Sequence, residues 1–283
     1  MDKFSIAFLS GKGGTGKTFI STNFANAIDS SSYVDTDVEE PNGEVFFRTD
    51  KKENKPVLVK IPRFNYDKCT GCRACADFCK FNAIIFIKKP FLVTEICHSC
   101  GGCYQVCEFD AITLVDKEIG SVDESIYKGH KIVSGKMNVG EMSGTPIIKQ
   151  AKNVIKNGLV AIDCPPGSSC LLLEAIHDVN YCVLVVESTN FGFHNFKMVY
   201  EVCKKINIPV GIIVNKYDGE NKLIFDFAKN ENINILDVFP FDKEINRITS
   251  SGGLITDLAE YKSRFEEILK KIQLQIKGDC EHE

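Results

Sequence analysis

Apolar positions along the chain fall into two kinds of run. Short, continuous, β-branched stretches cover residues 4–9, 159–163, 181–187, 209–215 and 235–240, and a shorter one, 33–37, ends in acids. Runs of that length with no polar alternation read as strands buried on both faces. Between them lie helical stretches at 19–28, 171–177, 196–205 and 223–229, and a terminal helix is expected over 261–276. Strands alternating with helices predict an α/β fold with a parallel sheet and helices on both faces.

The texture changes between about residues 56 and 116, where cysteines, aromatics and short β-like runs dominate. An internal repeat lies there. Cys69-Thr-Gly-Cys72-Arg-Ala-Cys75-Ala-Asp-Phe-Cys79 is followed by a closing Phe-Asn-Ala-Ile, and Cys97-His-Ser-Cys100-Gly-Gly-Cys103-Tyr-Gln-Val-Cys107 by Phe-Asp-Ala-Ile, at one constant offset. After the repeat the α/β alternation resumes. The expected organisation is therefore one discontinuous domain, residues 1–56 and 117–283, carrying an insertion at 57–116.

Composition narrows the setting. A chain of 283 residues accommodates one α/β domain and a small module. Its formal net charge of -4 gives no global attraction for nucleic acid or anionic lipid, and neither is expected as a partner. No stretch approaches the length of a membrane span, so no stable membrane insertion is expected. The start, MDKFSIAFLSGKGG, reads as a buried strand entering a glycine loop rather than a signal peptide. Thirteen cysteines stand out. The dense runs have metal-ligand spacing, which points to a reducing compartment and a cytoplasmic location.

Gly11-Lys12-Gly13-Gly14-Thr15-Gly16-Lys17-Thr18 satisfies the phosphate-loop pattern, with a strand before it and a helix after. Its glycines let backbone N–H groups surround phosphate oxygens at a helix N-terminus. Lys17 should reach the β- and γ-phosphates, and the Thr18 hydroxyl should bind Mg²⁺. Asn215-Lys216-Tyr217-Asp218 follows a strand and matches the N-K-x-D guanine-reading pattern, so GTP competes with ATP as the expected nucleotide.

The second lysine, Lys12, makes the loop resemble the deviant Walker A of the MinD/ParA ATPase superfamily. Three further segments resemble that group in the expected order: Asp35-Thr36-Asp37-Val38-Glu39-Glu40-Pro41-Asn42 its acidic switch I, Asp163-Cys164-Pro165-Pro166-Gly167 its Walker B and switch II, and Pro240-Phe241-Asp242 its late base-binding loop. The resemblance implies an ATP-hydrolysing homodimer formed on ATP binding. In it Lys12 would reach the other subunit's nucleotide, Asp37 would position the attacking water, Asp163 would hold Mg²⁺ through water, Gly167 would let switch II respond to the γ-phosphate, and Asn215 would meet adenine. Lys12 and switch II favour ATP over GTP.

The repeated Cys-x₂-Cys-x₂-Cys-x₃-Cys resembles bacterial two-cluster ferredoxins, in which the fourth cysteine of each run serves the other cube. The resemblance implies two [4Fe–4S] clusters, one on Cys69, Cys72, Cys75 and Cys107, the other on Cys79, Cys97, Cys100 and Cys103. Lys80 and Glu108 replace the proline that usually follows the fourth cysteine. Zinc in two Cys₄ sites is the competing assignment, but it does not require the third cysteine and the x₃ step twice. Cys170, with Cys164, resembles the region of the nitrogenase iron protein that holds a metal between subunits. As a whole the chain resembles MinD-superfamily ATPases with an inserted ferredoxin module. That implies ATP-gated electron transfer to a redox partner or, as the alternative, a metallocofactor-assembly ATPase in which the clusters are cargo.

Overall fold

A computed structural model describes residues 2–49, 52–220 and 222–280, with side chains to residue 278. A nine-stranded sheet runs in the order β11-β10-β9-β1-β8-β2-β7-β6-β3. Its strands are β1 (Lys3–Leu9), β2 (Ser32–Asp35), β3 (Glu53–Phe64), β6 (Ile112–Tyr127), β7 (His130–Met137), β8 (Gly158–Asp163), β9 (Tyr181–Glu187), β10 (Val210–Tyr217) and β11 (Asn234–Pro240). Every pairing from β11 to β7 is parallel. The alternation of strands with crossover helices dictates this, because a parallel neighbour is reached only by crossing over a face.

The sheet separates two cores. Along β1, Ile6 and Phe8 enter one while Ala7 and Leu9 enter the other. Strand β9 does the same, with Tyr181, Val183 and Val185 opposite Cys182, Leu184 and Val186. Period-two alternation in which both faces are apolar produces the continuous apolar runs of the sequence. One core is closed by α1 (Lys17–Ala27), α8 (Lys243–Ser250) and α9 (Ala259–Cys280), the other by α4 (Thr145–Val154), α5 (Cys170–Ile176), α6 (Asn190–Lys205) and α7 (Leu223–Asn230).

Two features differ from the expected layout. First, the sheet is not parallel throughout: β6 runs antiparallel to both of its neighbours, β7 and β3. A turn at Lys128 and Gly129, with φ of 47° and 87°, joins β6 to β7; two left-handed residues suit the right-handed twist of a tight hairpin. Strand β6 mixes polar and apolar residues, because one of its faces is open, and so lacks the all-apolar signature of the central strands. Second, α4 and α8 are helices where none was expected. Helix α4 buries only Ile147, Ile148 and Ala151, and α8 buries only Ile245, so neither leaves a long apolar stripe in the sequence.

Strands β3 and β6 run across residues 56–57 and 116–117 and leave the sheet as a long ribbon, with Phe64 opposite Ile112 at its far end. Residues 65–111 sit on that end. They hold α2 (Ala74–Phe78), the hairpin of β4 (Ile84–Ile87) and β5 (Lys89–Leu92), and α3 (Gly102–Gln105). Their small core joins Ile84, Cys103 and Ile112 with Phe64, Leu92 and three further cysteines. Among the described residues no helix is long and apolar enough to cross a membrane.

Candidate nucleotide site and cysteine cavities

Strand β1 ends at Leu9, and residues 10–16 turn over the sheet into α1. Gly16 caps that helix at φ 90°, and a Cβ there would collide with the Asn215 amide; only glycine meets both demands. The turn opens a cavity of about 500 Å³ lined by Gly13, Gly14, Thr15, Gly16, Lys17, Thr18, Asp37, Asn215, Pro240 and Asp242. It gathers ten of the expected nucleotide residues. Gly11, Lys12, Asp163 and Gly167 are not among its lining residues.

Each of those four has a definite place instead. A Cβ on Gly11 would strike the Asn195 backbone, so its glycine is explained by close packing on α6. Gly167 has φ 80° and donates its N–H to Ser10 O at 3.0 Å, tying the segment after β8 to the loop. Asp163 is 1% exposed and its Oδ1 pairs with Lys17 Nζ at 2.5 Å. Lys12 Nζ lies 2.8 Å from Glu187 Oε2.

Buried charge is concentrated under the loop. Asp163 Oδ2 accepts from the Tyr33 hydroxyl at 3.1 Å, and its backbone oxygen accepts from Thr36 N at 2.8 Å and Thr36 Oγ1 at 2.7 Å. Burial works to lower the Lys17 pKa, but Asp163, then Asp35 and Asp37, carry it above the ordinary lysine value. Asp35 accepts from Asp37 N and Gly43 N, both at 3.0 Å. Burial, and next the Asp163 carboxylate, hold the Asp35 carboxyl well above the usual range. Asp37 reaches the cavity; burial, opposed by Lys17 and reinforced by Asp163, pushes its carboxyl up to about 6. The sequence motifs do not mark Tyr33 or Asp35 as site residues, although Asp35 opens the acidic segment that contains Asp37.

The residues present fit a Mg-nucleotide. Thr15 Oγ1 is the buried side-chain polar atom without a hydrogen-bond partner among the described residues, and Thr15 lines the cavity. A buried hydroxyl left unpaired costs about 1–3 kcal/mol, so its position calls for an acceptor such as a phosphate oxygen. Asn215 Nδ2 donates to Thr15 O at 2.8 Å, bracing the loop, and Asp242 caps α8 by accepting from Glu244 N and Ile245 N. Helix α8 adds Asn246 and Thr249 to the wall. Its polar sequence hid it, and the Asp N-cap was its only local signal. Asp218 does not line the cavity; its carboxylate accepts from Glu220 N at 3.0 Å.

The eight clustered cysteines lie around two smaller cavities on the module. Cys69, Cys72, Cys75 and Cys107 line one, with Phe64, Phe86 and Pro90. Cys97, Cys100, Cys103 and Cys79 line the other, with Phe78, Phe81 and His98. The backbone repeats as the sequence does. Gly71, Arg73 and Asn82 have φ of 77°, 69° and 53°, and the equivalent Ser99, Gly101 and Asp110 have 52°, 73° and 48°. Left-handed residues gather neighbouring N–H groups on one side, which makes a cradle for negative charge. Asn65 N donates to Ala111 O at 2.8 Å and its equivalent, Val93 N, donates to Ala83 O at 2.8 Å, so the halves exchange matching bonds.

The described cysteines are free thiols. Burial pushes Cys103 up to about 11 and raises Cys75 and Cys97. Ala83 N donates to Cys79 Sγ at 3.3 Å. Among the described residues no three His, Cys, Asp or Glu side chains converge tightly enough for a single metal ion. Cys164 is fully buried against the sheet, where burial pushes it up to about 12, so it is no surface partner for the exposed Cys170. Cys182 and Cys203 are core residues.

Comparison with known proteins matches residues 6–255 to the CobQ/CobB/MinD/ParA nucleotide binding domain. The uncharacterized protein MJ0578 of Methanocaldococcus jannaschii is 32% identical over 279 residues, covering 96% of each chain. MJ0579 of the same organism is 28% identical over 296 residues, covering 93% of this chain and 95% of its own. Among solved structures, the cell division ATPase MinD of Pyrococcus furiosus superposes with a TM-score of 0.57 at 16% identity, over 96% of this chain and 99% of that one. The septum site-determining protein MinD of Pyrococcus horikoshii, complexed with Mg-ADP, gives 0.57 at 19%, over 95% and 96%. These two likenesses show the fold.

Proposed function

The chain belongs to the CobQ/CobB/MinD/ParA nucleotide-binding family, and from that premise we propose that it hydrolyses ATP and couples its nucleotide state to two [4Fe–4S] clusters held at residues 57–116, delivering electrons to a protein partner. One observation carries the cluster half of this reading. The eight cysteines sort around two cavities, each taking three thiols from one run and the fourth from the other. That interleaving is the ligand pattern of a two-cluster ferredoxin. The third cysteine and the x₃ step, present in both runs, favour a cube over zinc.

When bound, the clusters would supply one-electron redox chemistry. The chain's own residues do the rest. Cys79 keeps an N–H···S bond from Ala83, and the left-handed residues of each half would gather N–H groups about a bound anionic cluster. At the nucleotide end Lys17 and the loop amides neutralise phosphate charge. The Thr18 hydroxyl and Asp163 would hold Mg²⁺, and ionised Asp37 orients the water that attacks the γ-phosphorus as the bridging oxygen leaves with ADP. Asp218 faces Glu220 rather than the cavity, which supports adenine over guanine. Two copies associating on ATP would bring Lys12 to the partner's nucleotide.

A physical route joins the two ends. Met137 N donates to Val38 O at 2.8 Å, one residue beyond Asp37. From Met137 the chain reaches Glu141, whose Oε2 lies 2.9 Å from Lys117 Nζ, and that ammonium also donates to Thr94 O at 3.1 Å, just before Cys97. A Cβ on Gly144 would strike Val38 and crowd Leu171, so this loop touches the segments after β2 and β8 together. Anaerobic purification tests the reading. A brown protein with about eight irons per chain and saturable ATP binding is expected. Two zinc ions per chain and no iron, or GTP binding without ATP binding, would overturn it.

A further inference from the structure

Glu187 ends β9 beside the phosphate loop, paired in register with Asn215. Its carboxylate takes two lysines at once: Lys12 Nζ at 2.8 Å on Oε2 and Lys216 Nζ at 2.7 Å on Oε1. Lys216 also donates to Gly14 O at 2.6 Å. The acid is mostly buried, with 14% of its side chain exposed, whereas Lys12 keeps 28%. The Lys12 ammonium lies 5.6 Å from the ring centroid of Phe191, itself 66% exposed. Lys12 is thus parked at the rim, out of the cavity its loop encloses.

We propose that Glu187 is a positioning residue that holds Lys12 inside its own protomer and so sets the nucleotide concentration at which two copies associate. This rests on the reading of Lys12 as the residue that reaches a second copy's nucleotide. The pairing is built to let go. A buried carboxylate stripped of its only cation is strongly destabilised, but Glu187 keeps Lys216 when Lys12 leaves. The exchange therefore trades one partly exposed ion pair, of modest strength, for a lysine–phosphate contact. The same retained pair keeps Gly14 anchored, so the loop need not unfold as Lys12 swings out.

The test is Glu187→Gln in the full cluster-loaded chain, titrated with Mg²⁺ and a non-hydrolysable ATP analogue and followed by sedimentation velocity. The midpoint for dimer formation should fall by about fivefold, the scale of one partly exposed ion pair. The double variant Glu187→Gln with Lys12→Ala should lose that gain. An unshifted midpoint, or a gain that survives loss of Lys12, overturns the proposal. A parallel measurement uses the nucleotide-free monomer: acetylation of the Lys12 amine, read by mass spectrometry, should be faster in Glu187→Gln. Equal rates also overturn the hold. If the wild-type chain stays monomeric at saturating analogue, the dimer reading fails, while the acetylation rates still decide whether Glu187 restrains Lys12.

Discussion

At the scale of single residues, the nucleotide site is a set of polar groups buried ahead of need. Thr15 is the clearest case, because its hydroxyl is buried and has no hydrogen-bond partner among the described residues. Replacing it by valine removes an unsatisfied group without changing shape much. Thr15→Val should leave stability unchanged or raise it by up to about 1 kcal/mol, and weaken ATP binding by about tenfold; urea midpoints and calorimetry check both. Asp37 supplies a pH handle. Its carboxyl sits at about 6, above its value in an unfolded chain. The folded state then binds the extra proton, so the stability tied to that proton is present at low pH and lost as pH rises through about 6. Asp37→Asn mimics the protonated form. Wild type should lose urea stability relative to Asp37→Asn as pH rises from about 4 to about 6; a constant difference would contradict the assignment.

At the scale of elements, what could be read in advance depended on how an element is buried. Strands β1, β8, β9, β10 and β11 carry apolar residues on both faces, so their sequence alone marks them. Strands β3 and β6 do not, because one face of each meets solvent, where Lys60 and Asp116 form an exposed ion pair. Helix α8 is polar except for Ile245 and Ile248, and only its tertiary position beside the cavity gives it a role. The site followed the same rule. Contiguous motifs such as residues 11–18 were legible. Residues defined by contact across elements, such as Tyr33 on Asp163 and Glu187 on Lys12, carry no local signature. One such contact links the elements to function. Lys117 of β6 joins Glu141 to Thr94. Lys117→Met should leave iron content and ATP affinity unchanged and reduce the dependence of ATPase rate on cluster oxidation state by at least about twofold, since coupling energies near 1 kcal/mol are typical. An unchanged dependence would place the coupling elsewhere.

At the scale of the whole molecule, the chain is a nucleotide-binding α/β fold whose antiparallel margin has been drawn out into a stalk. The cysteine-bearing residues sit on that stalk, reached from the nucleotide end by β3 and β6 alone in sequence and by the Lys117 contacts in space. The interleaved thiol sets make a further prediction that a sequence-local arrangement would not. Cys107→Ser should damage the same cluster as Cys75→Ser, despite its place in the other run, and leave the one on Cys97, Cys100, Cys103 and Cys79 intact. The electron paramagnetic resonance spectra of the two reduced variants should match each other and differ from that of Cys103→Ser.

The central claim is that nucleotide chemistry and the clusters influence one another within this one chain. The rate of ATP hydrolysis by the anaerobically purified protein, measured once with the clusters oxidised and once with them reduced, tests it most directly. The two rates should differ by about fivefold or more, the low end of typical coupling between sites. Identical rates in both states, in a preparation that carries its full iron, would contradict it.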